Sequence, residues 1–423
     1  MPDYKRQKFK KSSMPKRKHI NYENKINMTP KKQSQTGVVP EDNIKVVRGT
    51  KYRRKQQTKV LIFAIIFISL VYIILSALLP GGLYENIANY SSLLGHGSFP
   101  VSVSGSNVLN TVSNGSYFYV LTDTNITAYA NSGKIVFSEL HGLSNPVLSV
   151  SATRALVYDQ GGKSLYLYNL SGKIHDLQTK NEIITASIST NGDFAVATHS
   201  DSYTSVVTVY NSNYNEIYAW NSAKELINNV LINPSGNKLA VSTLNVISGQ
   251  YRSKLMVLDF ESADPLHTLD LGTSLALSIT NTGKGISIIC DNKYKFLHWS
   301  KFTTSELVVS GEINSFKNSK SGVLLTVNRA NDRSDNTIIL ISKNGEKTSE
   351  FKINSAISDV QYEKGRLYSV CDTTVNILDK NGNILKTGTC NYQTQAIAVL
   401  SANSIAAVSD CEIIKINIQE GEN

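Results

Sequence analysis

Six aspartates recur at one place in a repeating pattern: Asp123, Asp159, Asp201, Asp291, Asp372 and Asp410 each stand at or just after the end of a short apolar run. Brought to one face by repeat symmetry, they would form an acidic ring that attracts a cation or a basic partner. The plainer role for such an aspartate is to hydrogen-bond its own turn backbone. Two repeats carry longer segments at this place instead, NVISGQYRSK (245–254) and NRANDRSDN (328–336). Long loops on one face of a rigid scaffold concentrate recognition, so Tyr251, Arg252, Arg329, Asp332 and Arg333 are the candidate partner contacts.

Catalytic patterns are lacking. The seven histidines (His19, His96, His141, His175, His199, His267 and His298) are scattered, without H-E-x-x-H or another paired metal spacing. There is no G-x-S-x-G elbow and no phosphate-binding glycine loop. The expectation is a protein that is not an enzyme and carries neither cofactor nor metal. The four cysteines are Cys290, Cys371, Cys390 and Cys411. Cys371 ends a second strand and Cys390 follows the fourth strand of the same repeat, which makes them a candidate disulfide, with Cys390–Cys411 as rival. Buried free thiols are the plainer reading, since free cysteine packs as a small apolar residue.

These residues are spaced by hairpins. The stretch NVLINPSGNKLAVST (229–243) is an apolar strand, a polar turn and an apolar strand, and seven further stretches between 110 and 410 match it. Turn positions at Gly115, Thr153, Gly192, Gly236, Gly283, Gly322, Gly365 and Asn403 are 38 to 47 residues apart. A second hairpin type alternates with the first, as in NITAYANSGKIVFSEL (125–140) and TVNILDKNGNILKTG (374–388). Its Ser-Gly or Asn-Gly pairs supply the positive φ that tight hairpins need. Four strands at a period near forty predict an all-β fold, a β-propeller of eight four-stranded blades. Seven is the alternative if the weak unit at 314–327 is not a blade. The last unit holds only three strands, and FPVSVSG (99–105) can supply its fourth, closing the ring and removing two open sheet edges. The propeller is thus expected over 99–420.

The N-terminal part differs in kind. Residues 1–59 hold 18 of the 43 Lys+Arg and four of the 33 Asp+Glu, a net of +14, whereas the rest of the chain has a net of −4. The overall basic balance therefore does not argue for nucleic-acid binding by the folded domain. Residues 1–59 read as a disordered basic cytoplasmic tail that brushes anionic lipid head groups. Residues 60–79, VLIFAIIFISLVYIILSALL, carry no charge and as a helix reach about 30 Å, one bilayer core. With Lys51, Arg53, Arg54, Lys55 and Lys59 before it, the positive-inside rule predicts a single-pass cell-membrane protein with its N-terminus in the cytoplasm and the propeller outside. The linker 80–98 places Leu83, Ile87, Tyr90 and Leu94 at helical spacing. The short amphipathic helix they define could lie on the membrane, but packing against the following domain is the reading preferred here.

The NPSGNKLAVS turn resembles those of WD40-like and TolB-like propellers, and the turns written xGKI resemble those of quinoprotein-like propellers. Basic tail, single span and external propeller together resemble an uncharacterised Firmicute (clostridial) family of membrane-anchored proteins whose domain is of unknown function. Trp220 and Trp299 are the only two tryptophans and neither precedes an aspartate, a departure from the WD40 and quinone-binding patterns. The expected role is a non-catalytic scaffold that binds a protein or a cell-envelope polymer outside the membrane. The alternatives are a sensor coupling an external ligand to the cytoplasmic tail, and an envelope hydrolase or lyase with its site at the channel.

Overall fold

The second strand of each repeat is apolar without alternation, and the computed structural model shows why. Tyr117–Thr122 and Gly285–Cys290 are buried at every position. A strand packed on both faces loses the period-two signal that a half-buried strand shows. Outermost strands keep the alternation: in Lys347–Asn354 exposed and half-buried residues largely take turns. The structure describes residues 49–79, 82–262, 264–319, 321–328, 334–363, 365–390 and 394–420, so the basic tail lies outside the described residues over 1–48.

Eight antiparallel sheets follow one another along the chain. Blades 1 to 7 occupy 108–140, 146–178, 183–222, 226–272, 276–308, 312–354 and 359–389, each with four consecutive strands from the channel outward. The weak unit is a full blade: Glu312–Ser319 and Gly322–Asn328 are its two inner strands. Blade 8 takes three strands from 396–417 and its fourth from Val101–Ser102, which pairs with Ile413 and Glu412. Phe118, Val120 and Tyr129 of blade 1 pack with Ala398, Ala406, Val408 and Ile413 of blade 8, so the ring closes on an apolar seam. One feature of the ending was not expected. Gln419–Glu420 crosses back to pair with Thr387 and Lys386 as a fifth strand of blade 7.

Contacts divide the chain into two units, 1–64 and 65–423. The boundary falls within α1 (Gly49–Leu78), whose apolar stretch Gln57–Ser76 has the length and composition to cross a membrane, with no residue of it buried. The described part of the first unit is the start of α1. The second contains the end of α1, α2 (Gly82–Leu93) and the propeller.

The helix α2 does pack against the propeller, but not through its apolar stripe. Ile87, Tyr90 and Leu94 are exposed, and the helix meets the propeller through Glu85, Asn89 and Leu93 instead. Those three follow the i, i+4, i+8 spacing of one helical face. Polar bonds to turns far along the chain outcompete the apolar stripe for the docking side.

Candidate functional site

The topology gives the propeller two unlike ends. One, here the turn face, carries the short turns between first and second and between third and fourth strands. The other, the loop face, carries the second-to-third connections and the crossovers between blades. All six aspartates lie on the loop face, as do the segment 245–254 and the described ends of the segment 328–336.

The carboxylates are engaged with backbone. Asp123 Oδ1 accepts the N–H groups of Ser106 (2.8 Å) and Asn107 (3.3 Å), and Asp159 Oδ1 accepts that of Asn145 (2.7 Å). Asp291 Oδ1 accepts the Leu275 N–H at 3.2 Å, and Asp410 accepts the Val108 N–H at 3.1 Å and the Gln395 amide at 2.6 Å. In each case the donor is at or just before the start of an innermost strand. These aspartates therefore clamp a blade connection to a crossover, a longer-range bond than one within a turn. The Ser106 N–H above all holds the Asp123 carboxyl below the usual carboxylate range. Gly105 makes this approach with φ 115°, where a Cβ would meet the Thr122 side chain at 2.3 Å. Asp201 instead pairs with Lys180 at 2.8 Å, and Asp372 is exposed at a φ of 53°. Among the described residues no group of three or more His, Cys, Asp or Glu is arranged to hold a metal ion.

The segment 245–254 is not a loop. Strands Lys238–Ile247 and Gln250–Asp259 stay paired to the tip, with Asn245 opposite Arg252 and Val246 opposite Tyr251. Ser248 and Gly249, both at positive φ, make the two-residue turn. The flanking strands stop at Leu226 and Gly272, so 245–252 stands beyond the sheet as a two-stranded ribbon. At its base Glu225 accepts the Thr243 hydroxyl and pairs with Lys254, each at 2.7 Å. Val246, Ile247, Tyr251 and Arg252 are exposed on it. Arg329, Asp332 and Arg333 lie outside the described residues.

The channel holds a pair that no sequence motif marks. Lys317 of blade 6 reaches Asp359 of blade 7 at 3.0 Å, and Asp359 Oδ2 accepts the Ile397 N–H of blade 8 at 2.9 Å. Both line a cavity of about 290 Å³ toward the loop face, with Asn110, Asn314, Ser315 and Gln395. A cavity of about 660 Å³ lies toward the turn face, lined by Asn114, Asn281, Asn318, Tyr368 and Leu400 among others. Polar residues interrupting an innermost strand, Asn314, Ser315 and Lys317, were the available signal. None of the four cysteines is in a disulfide. Cys371 and Cys390 are buried in blade 7 without a bond between them, and Cys411 is exposed.

On the turn face α2 is held by named bonds. Arg154, in the first turn of blade 2, donates Nε and Nη2 to the two Glu85 oxygens at 2.9 and 2.6 Å, and Nη1 to the Ser212 carbonyl at 2.7 Å. Asn89 donates to the Thr153 carbonyl and accepts the Leu170 N–H, joining two turns of that blade. Lys134 donates to the Ser92 and Leu94 carbonyls, satisfying acceptors at the helix end.

Among solved structures the chain is similar to the computationally designed Ika8 protein, at 12% identity over 77% of this chain and 100% of that one, with a TM-score of 0.56. It is similar to the C-terminal WD40 domain of Sif2 at 13% identity, 77% and 100% coverage and a TM-score of 0.54. The Dos1 propeller matches at 12% identity, 78% and 97% coverage and 0.53. Identity at this level speaks for the fold alone. No curated protein matches the sequence. Residues 89–418, nearly the whole propeller together with the end of α2, match a single family, and the chain belongs to it: the family of unknown function DUF5711.

Proposed function

We propose that the protein is a membrane-anchored, extracytoplasmic and non-catalytic scaffold whose loop face captures a protein partner. The observation that carries this reading is the ribbon 245–252. It extends beyond its sheet with Val246, Ile247 and Tyr251 exposed, on the face opposite the one where α2 docks. An isolated two-stranded ribbon is marginal in water, and its unpaired strand edges suit the addition of a partner strand. Arg252 beside Tyr251 adds a residue pair typical of interface anchors. The anchor is the charge-free stretch of α1, and the lysines and arginines before it favour a cytoplasmic N-terminus.

Crosslinking capture from membranes carrying the full chain tests the reading. Replacing Val246, Ile247, Tyr251 and Arg252 together by serine should abolish the captured partner while leaving the thermal unfolding midpoint within a few degrees, because all four are exposed. Capture that is unchanged in this variant would remove the proposal.

A further inference from the structure

Around α2 the residues segregate by angle. At 100° per residue, Glu85, Asn89, Ser92 and Leu93 fall within one arc of 100°, centred on the propeller. Opposite them lie Tyr84, Ile87, Tyr90 and Leu94, exposed by 79%, 59%, 69% and 58%. Glu85 and Asn89 are turned the other way, Glu85 paired with Arg154 and both Asn89 polar groups bonded to blade 2, while Asn86, between the two arcs, donates to the Gly82 carbonyl at 2.8 Å. Besides the phenols of Tyr84 and Tyr90, the exposed arc holds the Ser91 hydroxyl, which donates to the Ala88 carbonyl at 2.8 Å.

Position decides what covers this face. Three residues separate Leu78, the end of α1, from Gly82, the start of α2. A chain of that length spans at most about 14 Å, and the two helices are held closer by bonds from Gly82 N–H to Leu79 O and from Leu83 N–H to the Ser76 hydroxyl. The head-group layer at each side of a bilayer is itself about 5–8 Å thick. A helix that starts this close to the end of a span begins at the membrane–water boundary. Tyrosine rings are enriched there, with an apolar body toward the chains and a hydroxyl toward water.

We propose that α2 is an interfacial helix: Tyr84, Ile87, Tyr90 and Leu94 lie in the lipid interface of the bilayer that α1 crosses, and Glu85 and Asn89 clamp the turn face of the propeller to it. The inference rests on the membrane reading of α1. Its consequence is that the propeller does not swing freely on a tether. Its turn face lies toward the membrane, and the ribbon 245–252 is presented away from it.

The test uses the full chain with Cys411→Ser, reconstituted into phosphatidylcholine–phosphatidylglycerol vesicles, with one new cysteine at a time: Ile87→Cys, Tyr90→Cys, Ile68→Cys in α1, and Ile217→Cys on the outer strand of blade 3. Each carries an environment-sensitive fluorophore, read by quenching from doxyl-labelled lipid and from aqueous iodide. The expected result is lipid quenching several-fold stronger than iodide quenching at positions 68, 87 and 90, and the reverse at 217. Lipid quenching at 68 with iodide quenching at 87 and 90 would overturn the interfacial helix and leave the span intact. Protection of 87 and 90 from both quenchers would mean a protein surface or a second copy covers the face, which also overturns it. Iodide quenching at 68 would bring down the span and the inference together.

Discussion

Thiols show at the residue scale how environment separates side chains of one type. Cys290 is fully buried in the apolar cluster that holds Ala276, Ile288 and Leu297, and burial pushes its thiol up to about 11. Burial raises the Cys371 thiol as well, and the Cys390 sulfur lies 2.9 Å from the Thr394 hydroxyl. Only a thiolate reacts readily, and only when reagent reaches it. Alkylation of the native chain without reductant should therefore modify one cysteine, Cys411, and alkylation after denaturation should modify four. Two after denaturation would reveal one disulfide, with Cys371 and Cys390 the pair to map first. The aspartates teach a related lesson. Their recurrence was legible, because repeats place like residues at like positions. Their partners were not: the Val108 N–H that Asp410 accepts lies across the chain closure, 302 residues away in sequence.

Elements were legible where periodicity is local. The paired strands of each hairpin and the turn glycines follow from alternation and turn chemistry, as at Gly236, whose φ of 71° completes the NPSG turn while Asn233 accepts the Asn237 and Lys238 N–H groups. The docking side of α2 was not legible, because Arg154 is 69 residues from Glu85 and nothing in the spacing links them. The ribbon escaped for another reason: NVISGQYRSK reads as polar and turn-rich, yet it pairs with itself through a two-residue turn. Glu85 and Arg154 are exposed by only 11% and 8%, so removing one leaves a buried charge unpaired, at a cost of about 3 kcal/mol. Since α2 can detach without unfolding a blade, the effect of Glu85→Ala should be local. Hydrogen exchange is the measurement: α2 amides should lose protection while those of the second strands, such as Phe194–His199, keep theirs. Replacing Arg154 by methionine in the same chain should restore part of the loss, because the stranded guanidinium is then gone.

At the scale of the whole chain, the propeller is a ring whose period was readable and whose ends decide its integrity. The repeat near forty residues and the unpaired strand at 99–105 pointed to eight blades and a closure, and both are present. The return of Gln419–Glu420 to blade 7 had no signal, since two residues carry no pattern. The two added strands differ in consequence. Val101–Ser102 is the outer strand of blade 8, with Val101 and Val103 packed into the seam against blade 1, and Val103 N–H donates to the Cys411 carbonyl at 3.0 Å. Gln419–Glu420 joins a blade that already has four strands. Replacing residues 101–103 by Gly-Ser-Gly should therefore lower stability by about 3 kcal/mol through lost valine burial. It should also expose the edge of Glu412–Asn417, which favours pairing between chains. Removing residues 419–423 should do neither. A denaturant midpoint and light scattering on both variants check this: equal effects would mean that the ring is held by the seam between blades alone, and that its closing strand is as dispensable as its last one.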